Sequence, residues 1–271
     1  MKAATAANMT TTRSESAAQA LLAAWHAHGR IDAIPEDCRP RTRAEGYAVQ
    51  AALLRACGEA GFGWKIAATS TAGQQHIGVS GPLAGRLQTS RRLASGDTVS
   101  LKGNTMRVAE AEFAFRMGSD LRGDASGKPL TVEAVMSAVQ AMQLAIELPN
   151  SRLLDFAGAG EAQLIADFAC ACFVVIGDDV AADWRAIDLS GHGVTMRRGD
   201  EVVATGSGAN VLGDPRLALA WLANELISQG QFLARGDVVI TGTSVVPVPV
   251  SPGDILTADF GVLGTVRAQL E

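Results

Sequence analysis

From Gly63 to the C-terminus the chain is cut into short β-rich pieces by glycine, proline and aspartate, and this texture constrains the fold more than any other feature. The pieces are WKIA from Trp64, TVSLKG from Thr98, AEAEFAFRM from Ala109, AMQLAIEL from Ala141, FACACFVVI from Phe168, GVTMRR from Gly193, EVVATG from Glu201, DVVITG from Asp237 and DILTADF from Asp254. Only two clear helical stretches lie among them, Thr131 to Val139 and Pro215 to Ser228. A doubly wound fold would place a helix after nearly every strand. The pattern therefore predicts an α+β fold on a mostly antiparallel or mixed sheet.

Ahead of this region the texture is helical. Ser14 to Ala27, SESAAQALLAAWHA, is alanine-rich with apolar residues at helical spacing, begins with cap-type residues and is closed by Gly29. After Pro35 and Pro40, Arg41 to Ala60 reads as a second amphipathic helix that ends at Gly61. The expected organisation is a flexible leader over 1–14, an N-terminal helical arm over 15–62 and a β-rich domain over 63–271. A chain of 271 residues is long enough for one large core or two small ones.

Lys plus Arg number 23 against 28 Asp plus Glu, a net charge of -5. The basic excess needed to hold a phosphate backbone is missing, so nucleic acid is not an expected partner. No apolar run reaches the roughly 18 to 20 residues of a spanning helix. The longest, 168–176, stops at Gly177-Asp178-Asp179, so a membrane is not expected either. The opening MKAATAANMTTTRSES lacks the apolar block of a signal peptide, and the expected location is cytoplasmic. Cys38, Cys57, Cys170 and Cys172 form no CxxC pair and read as buried free thiols.

Glu110 and Glu112 sit two apart in AEAEF, a segment that otherwise reads as a strand, so period two turns both carboxylates to one face. Ala111 and Phe113 point the other way. A third carboxylate, Glu147, lies in the apolar strand QLAIEL just before Pro149, where an unpaired charge is costly to bury. Three oxygen donors without nearby His or Cys suit a hard divalent cation, Mg²⁺ or Mn²⁺ before Ca²⁺. The alternative is that Glu110 and Glu112 line the solvent face of an edge strand and that Glu147 ends a strand in water. Lys65, between Trp64 and Ile66 in GWKIA, either supplies a cation or proton at a site or snorkels from a strand end.

Two other signals carry little. GSGANVLG at 206–213 follows a strand, but Val211 stands at the third glycine position of a dinucleotide loop and the helix begins only after Asp214-Pro215. There is no GxSxG elbow, and His26, His28, His76 and His192 lack the spacing of a metal site or triad.

Taken in order, GWKIAATS at 63–70, QQHIGV at 74–79, AEAEFAF at 109–115, AIELPNSR at 145–152 and the run from GSGANVLGDPRLALAWLANEL through GDVVITG to PGD resemble one family. The chain is similar to the 2-keto-4-pentenoate hydratase and 4-oxalocrotonate decarboxylase group of the fumarylacetoacetate hydrolase superfamily, from about residue 15 to 270. The resemblance implies a mixed β-roll of the fumarylacetoacetate hydrolase C-terminal type behind the helical arm, with the catalytic domain over 63–271. It implies a homo-oligomer using Mg²⁺ or Mn²⁺ on a small 2-oxo or 2-hydroxy dienoic acid from aromatic catabolism. By the family motifs, Glu110, Glu112 and Glu147 would bind the metal and Lys65 would be catalytic, with Ser151, Arg152 and Asp167 binding substrate or supporting the site.

The chain also departs from that pattern. Where the family commonly carries acidic residues after the QQ-GV segment, this chain has Ser80 and Leu83, and Phe168 stands where an ADNAS-like motif has its amide. One of the absent acids is a candidate proton-transfer group. The expected activity is hydration of 2-hydroxypenta-2,4-dienoate to 4-hydroxy-2-oxopentanoate. The alternatives are decarboxylation of 2-oxohex-3-enedioate, or a role as a non-catalytic partner subunit.

Overall fold

Two ten-residue segments, Val108–Met117 and Val139–Leu148, pair antiparallel and form the centre of the molecule. Both are dominated by small, branched and aromatic apolar side chains, which suits strands covered on both faces. The computed structural model describes residues 2–123 and 127–271, with side chains from Thr12 onward.

In chain order the strands are β1 (Gly61–Ala67), β2 (Leu83–Gln88), β3 (Arg92–Ala94), β4 (Thr98–Val99), β5 (Val108–Met117), β6 (Val139–Leu148) and β7 (Phe173–Ile176). They continue as β8 (Gly193–Arg198), β9 (Glu201–Ser207), β10 (Val238–Thr243), β11 (Val248–Pro249), β12 (Ile255–Asp259) and β13 (Thr265–Leu270). The larger sheet runs β2-β1-β10-β5-β6-β7-β3, with β11 added beside β5; the smaller runs β4-β13-β12-β8-β9. The β1/β10, β3/β7 and β4/β13 pairs are parallel and the others antiparallel, so the sheets are mixed, as expected.

The helices are α1 (Lys2–His26), α2 (Arg43–Ala56), α3 (Thr71–His76), α4 (Val132–Ser137), α5 (Glu161–Ala166) and α6 (Pro215–Ser228). Thr42 caps α2 by accepting the Glu45 N–H, and Asp214 caps α6 ahead of Pro215. The first helix begins inside the stretch read as a leader. Its buried Ala17, Leu21 and Leu22 join Val49 and Leu53 of α2 over one face of the large sheet, against Ala114, Ala145, Val174 and Ile240. The opposite face packs against the small sheet, where the Phe113 and Phe260 rings meet edge to face at 5.0 Å. The result is the mixed β-roll with N-terminal helices expected from the sequence.

Several local readings are corrected. In FACACFVVI only Phe173–Ile176 is a strand, because Phe168, Ala169 and Cys170 all have positive φ and form a left-handed turn. TVSLKG yields only Thr98–Val99. Strands β2 and β13 and the short helices α3 and α5 were not separately legible. Cys38, Cys170 and Cys172 are buried free thiols as expected, whereas Cys57 is half-buried.

Candidate metal centre

Register brings the carboxylates together. In the β5/β6 pair Glu110 lies directly opposite Glu147, and Glu112 is two residues further along the same face of β5. One ligand oxygen from each of the three lies within 4.8 Å of the others, and among the described residues no other trio of His, Cys, Asp or Glu does this. Glu112 and Glu147 are fully buried and Glu110 is half-buried. The edge-strand alternative is excluded, since β5 is flanked by β10 and β6 in the middle of the sheet.

Lys65 reaches the same place from β1. Its Nζ lies 2.9 Å from Glu147 Oε2, and the lysine is 3% exposed, so it is an interior ion-pair partner and not a snorkelling strand end. Glu112 Oε2 accepts the Gly242 N–H at 2.6 Å from the end of β10. Gly242 adopts φ +106 with the Thr69 side chain packed against its Cα, a geometry that a side chain at this position would spoil. Glu112 Oε1 and Glu147 Oε1 are buried with no hydrogen-bond partner.

Electrostatics follow from the crowding. Burial, opposed by Lys65 and reinforced by Glu147, pushes the Glu110 carboxyl up to about 7. Burial and the charges of Glu147 and Glu110 hold Glu112 well above the usual carboxylate range. Burial alone would favour neutral Lys65, but Glu147, Glu110 and Glu112 together raise its pKa and keep the ammonium charged. Three interior carboxylates against one ammonium, with orphaned oxygens on two of them, form a donor set that fits a hard divalent cation.

Ser151, Arg152 and Asp167 form a second cluster, built on one another. Asp167 is fully buried; its Oδ2 accepts from Ser151 Oγ at 2.8 Å and from the Arg152 N–H at 2.9 Å, while Oδ1 is paired with Arg152 Nε. The Asp167 carbonyl accepts Arg152 Nη2 at 2.7 Å. Leu83 is fully buried and Ser80 is exposed, so neither adds a charged group to the centre. Sequence reasoning missed one backbone contributor, Gly242. The signal for Gly242 was a glycine closing DVVITG, the kind of residue that lets a backbone N–H approach a side chain closely.

Residues 77–271 match the family model described as fumarylacetoacetate (FAA) hydrolase C-terminal. The chain is 30% identical over 266 residues to the 2-keto-4-pentenoate hydratase of Paraburkholderia xenovorans, covering 97% of each protein. It is also 30% identical over 242 residues to a 4-oxalocrotonate decarboxylase of a Pseudomonas strain, covering 88% of this chain and 89% of that one. Among solved structures it is similar to the 4-oxalocrotonate decarboxylase of Pseudomonas putida G7 complexed with magnesium and adipate, at 28% identity and TM-score 0.86, covering 96% of this chain and 98% of that one.

Proposed function

Because the chain belongs to the fumarylacetoacetate hydrolase C-terminal family, we propose that it is a divalent-metal-dependent lyase of aromatic catabolism that hydrates 2-hydroxypenta-2,4-dienoate to 4-hydroxy-2-oxopentanoate. The observation that carries this reading is the cluster of Glu110, Glu112 and Glu147 with Lys65 seated on Glu147. Glu110, Glu112 and Glu147 would hold Mg²⁺ or Mn²⁺. Bound there, the cation would supply Lewis acidity toward the carboxylate and 2-oxygen of a 2-hydroxy or 2-oxo acid.

The chain's own residues have separate tasks. The charged ammonium of Lys65 attracts the substrate carboxylate and can hold or return a proton at Nζ. Gly242 fixes the orientation of Glu112 through its N–H. The apolar sheet faces around the centre exclude bulk water, which strengthens every charge inside it. Chemically, the enol loses its O–H proton as one proton enters at C5, and water then adds hydroxyl at C4 and a proton at C3. The net change is one water molecule.

A second reading is decarboxylation of 2-oxohex-3-enedioate on the same site. It is favoured by the likeness to the decarboxylase structure and by Ser80 and Leu83 at the places where acids are common in the resembling family. In either reading the enzyme works in the cytoplasm as a homo-oligomer, as the family resemblance implies. No helix among the described residues is long and apolar enough to cross a membrane.

The test is ultraviolet absorbance of freshly generated 2-hydroxypenta-2,4-dienoate with the purified protein, with added Mg²⁺ and again with chelator. Metal-dependent loss of the dienol with formation of 4-hydroxy-2-oxopentanoate is the expected result. CO₂ release from the six-carbon diacid, with no hydration of the five-carbon dienoate, would transfer the assignment to the decarboxylase.

A further inference from the structure

Phe168, Ala169 and Cys170 occupy the left-handed region at φ 53, 48 and 65, three consecutive non-glycine residues in a conformation that L side chains disfavour. All three are buried. Such a turn persists only where its surroundings over-determine it, so the groups that hold it and the groups it holds are both informative.

What it abuts is Gly85, the register partner of Lys65. In the β1/β2 register Lys65 is paired with Gly85, and the Phe168 carbonyl oxygen occupies the space that a Cβ on Gly85 would need. The same Cβ would lie 3.0 Å from Lys65 Cγ. Gly85 therefore lies between the turn and the lysine stem and close to both, and the absent side chain at Gly85 is what lets the turn come this close. The Cys170 carbonyl accepts the Asn150 N–H at 2.9 Å, so the turn is also tied to the segment that leaves β6 three residues after Glu147.

What holds the turn is Asp167. Its carboxylate accepts three hydrogen bonds, from Ser151 Oγ, the Arg152 N–H and Arg152 Nε, and its carbonyl takes Arg152 Nη2. Arg152 is itself fixed by the Trp25 ring, with its guanidinium carbon 3.9 Å from the ring centroid. None of these contacts is made with Glu110, Glu112 or Glu147. We propose that Asp167 is a positioning residue for Lys65: by anchoring the left-handed turn 168–170 against Gly85, it fixes the lysine stem so that the ammonium stays on Glu147. The proposal rests on the role given to Lys65 above, and of the two roles expected for Ser151, Arg152 and Asp167, substrate binding or support of the site, it assigns them the second as this anchor.

The experiment compares Ser151→Ala, which removes one bond to Asp167 and leaves the Arg152 pair intact, with Asp167→Asn. Each is made alone and in a Lys65→Met background. One readout needs no turnover: the rate at which the Lys65 amine of folded, metal-free protein is acylated by acetic anhydride, followed by mass spectrometry. Both variants are expected to raise that rate at least tenfold, with Mg²⁺ affinity held within threefold. The second readout is dienoate turnover and its pH profile. Each variant is expected to lower kcat about tenfold and shift the profile in the wild-type background, and to change neither further in Lys65→Met. Unchanged acylation in folded Ser151→Ala, or an equal loss of turnover with and without Lys65, would overturn the proposal. Absence of dienoate turnover in the wild type would count against the hydratase reading alone, because the acylation result still decides this one.

Discussion

Glu110 and Glu147 stand directly opposite each other across the β5/β6 pair, in the interior of a sheet covered on both faces. Like charges at directly opposed positions destabilise a sheet, and with Glu147 fully buried and Glu110 half-buried little water is left to screen them. A protein would keep this arrangement only where a cation or a shared proton offsets it, which places the cluster among sites where stability is given up for function.

Replacing Glu110 by Gln leaves Lys65 paired with Glu147 while removing one of the two opposed charges. Metal-free Glu110→Gln is expected to be more stable than the parent by about 1 kcal/mol in urea unfolding with chelator present. Its Mg²⁺ affinity by calorimetry should fall at least tenfold. A variant that is less stable yet binds Mg²⁺ normally would remove Glu110 from the ligand set.

The raised carboxyls make the metal-free protein's stability depend on pH in a definite direction. The folded state holds the Glu110 proton up to about 7, whereas an unfolded glutamate releases it near about 4.3. Between those values the native state binds more protons than the unfolded one, so stability is greatest at the acidic end and falls as pH rises through about 7. The loss from this group is on the order of 3 kcal/mol. Excess Mg²⁺ should flatten or reverse the slope, because metal binding competes with those protons. Thermal unfolding from pH 5 to pH 8, with and without Mg²⁺, checks the sign.

Lys65→Met removes the only cation paired with the cluster's carboxylates among the described residues, and leaves Glu147 buried without it. Breaking a buried pair on one side costs about 3–5 kcal/mol. The metal-free variant is expected to lose that much stability and to regain part of it in saturating Mg²⁺. Equal destabilisation with and without metal would mean that Lys65 and the cation site are not electrostatically linked.

Much of this site could be read from residue spacing. Period two put Glu110 and Glu112 on one face, and an acid inside QLAIEL marked Glu147. What spacing could not supply was the partner of each face, since the side of β5 that meets helices is decided by residues such as Leu21 and Leu53, far away in the chain. The left-handed turn was illegible for a related reason. Phe168-Ala169-Cys170 has no glycine, and its conformation is imposed from outside by the bonds that Asp167, Ser151 and Arg152 make. Strand β2 was missed because LAGRLQ carries Gly85 and Arg86 in its middle, and that glycine is there for contact with the turn and not for strand propensity.

The same tertiary logic ties the helical arm to the segment that enters β2. Tyr47 of α2 donates its hydroxyl to Glu225 of α6 at 3.0 Å and accepts the Ala84 N–H at 3.3 Å, while Arg43 pairs with Glu225 at 2.7 Å and with Glu161 and donates to the Pro82 carbonyl at 3.0 Å. Burial and the Glu225 charge raise the Tyr47 pKa, so the phenol keeps its proton and remains a donor at neutral pH. Tyr47→Phe keeps the packed ring but leaves the Glu225 carboxylate and the Ala84 N–H each short of a partner. The expected cost is about 1–3 kcal/mol in urea unfolding. Because Ala84 lies next to Gly85, loosening this corner should also speed amide exchange across 83–86 relative to β6. Exchange that quickens equally in both strands would show that the network serves global stability and not the placement of β2.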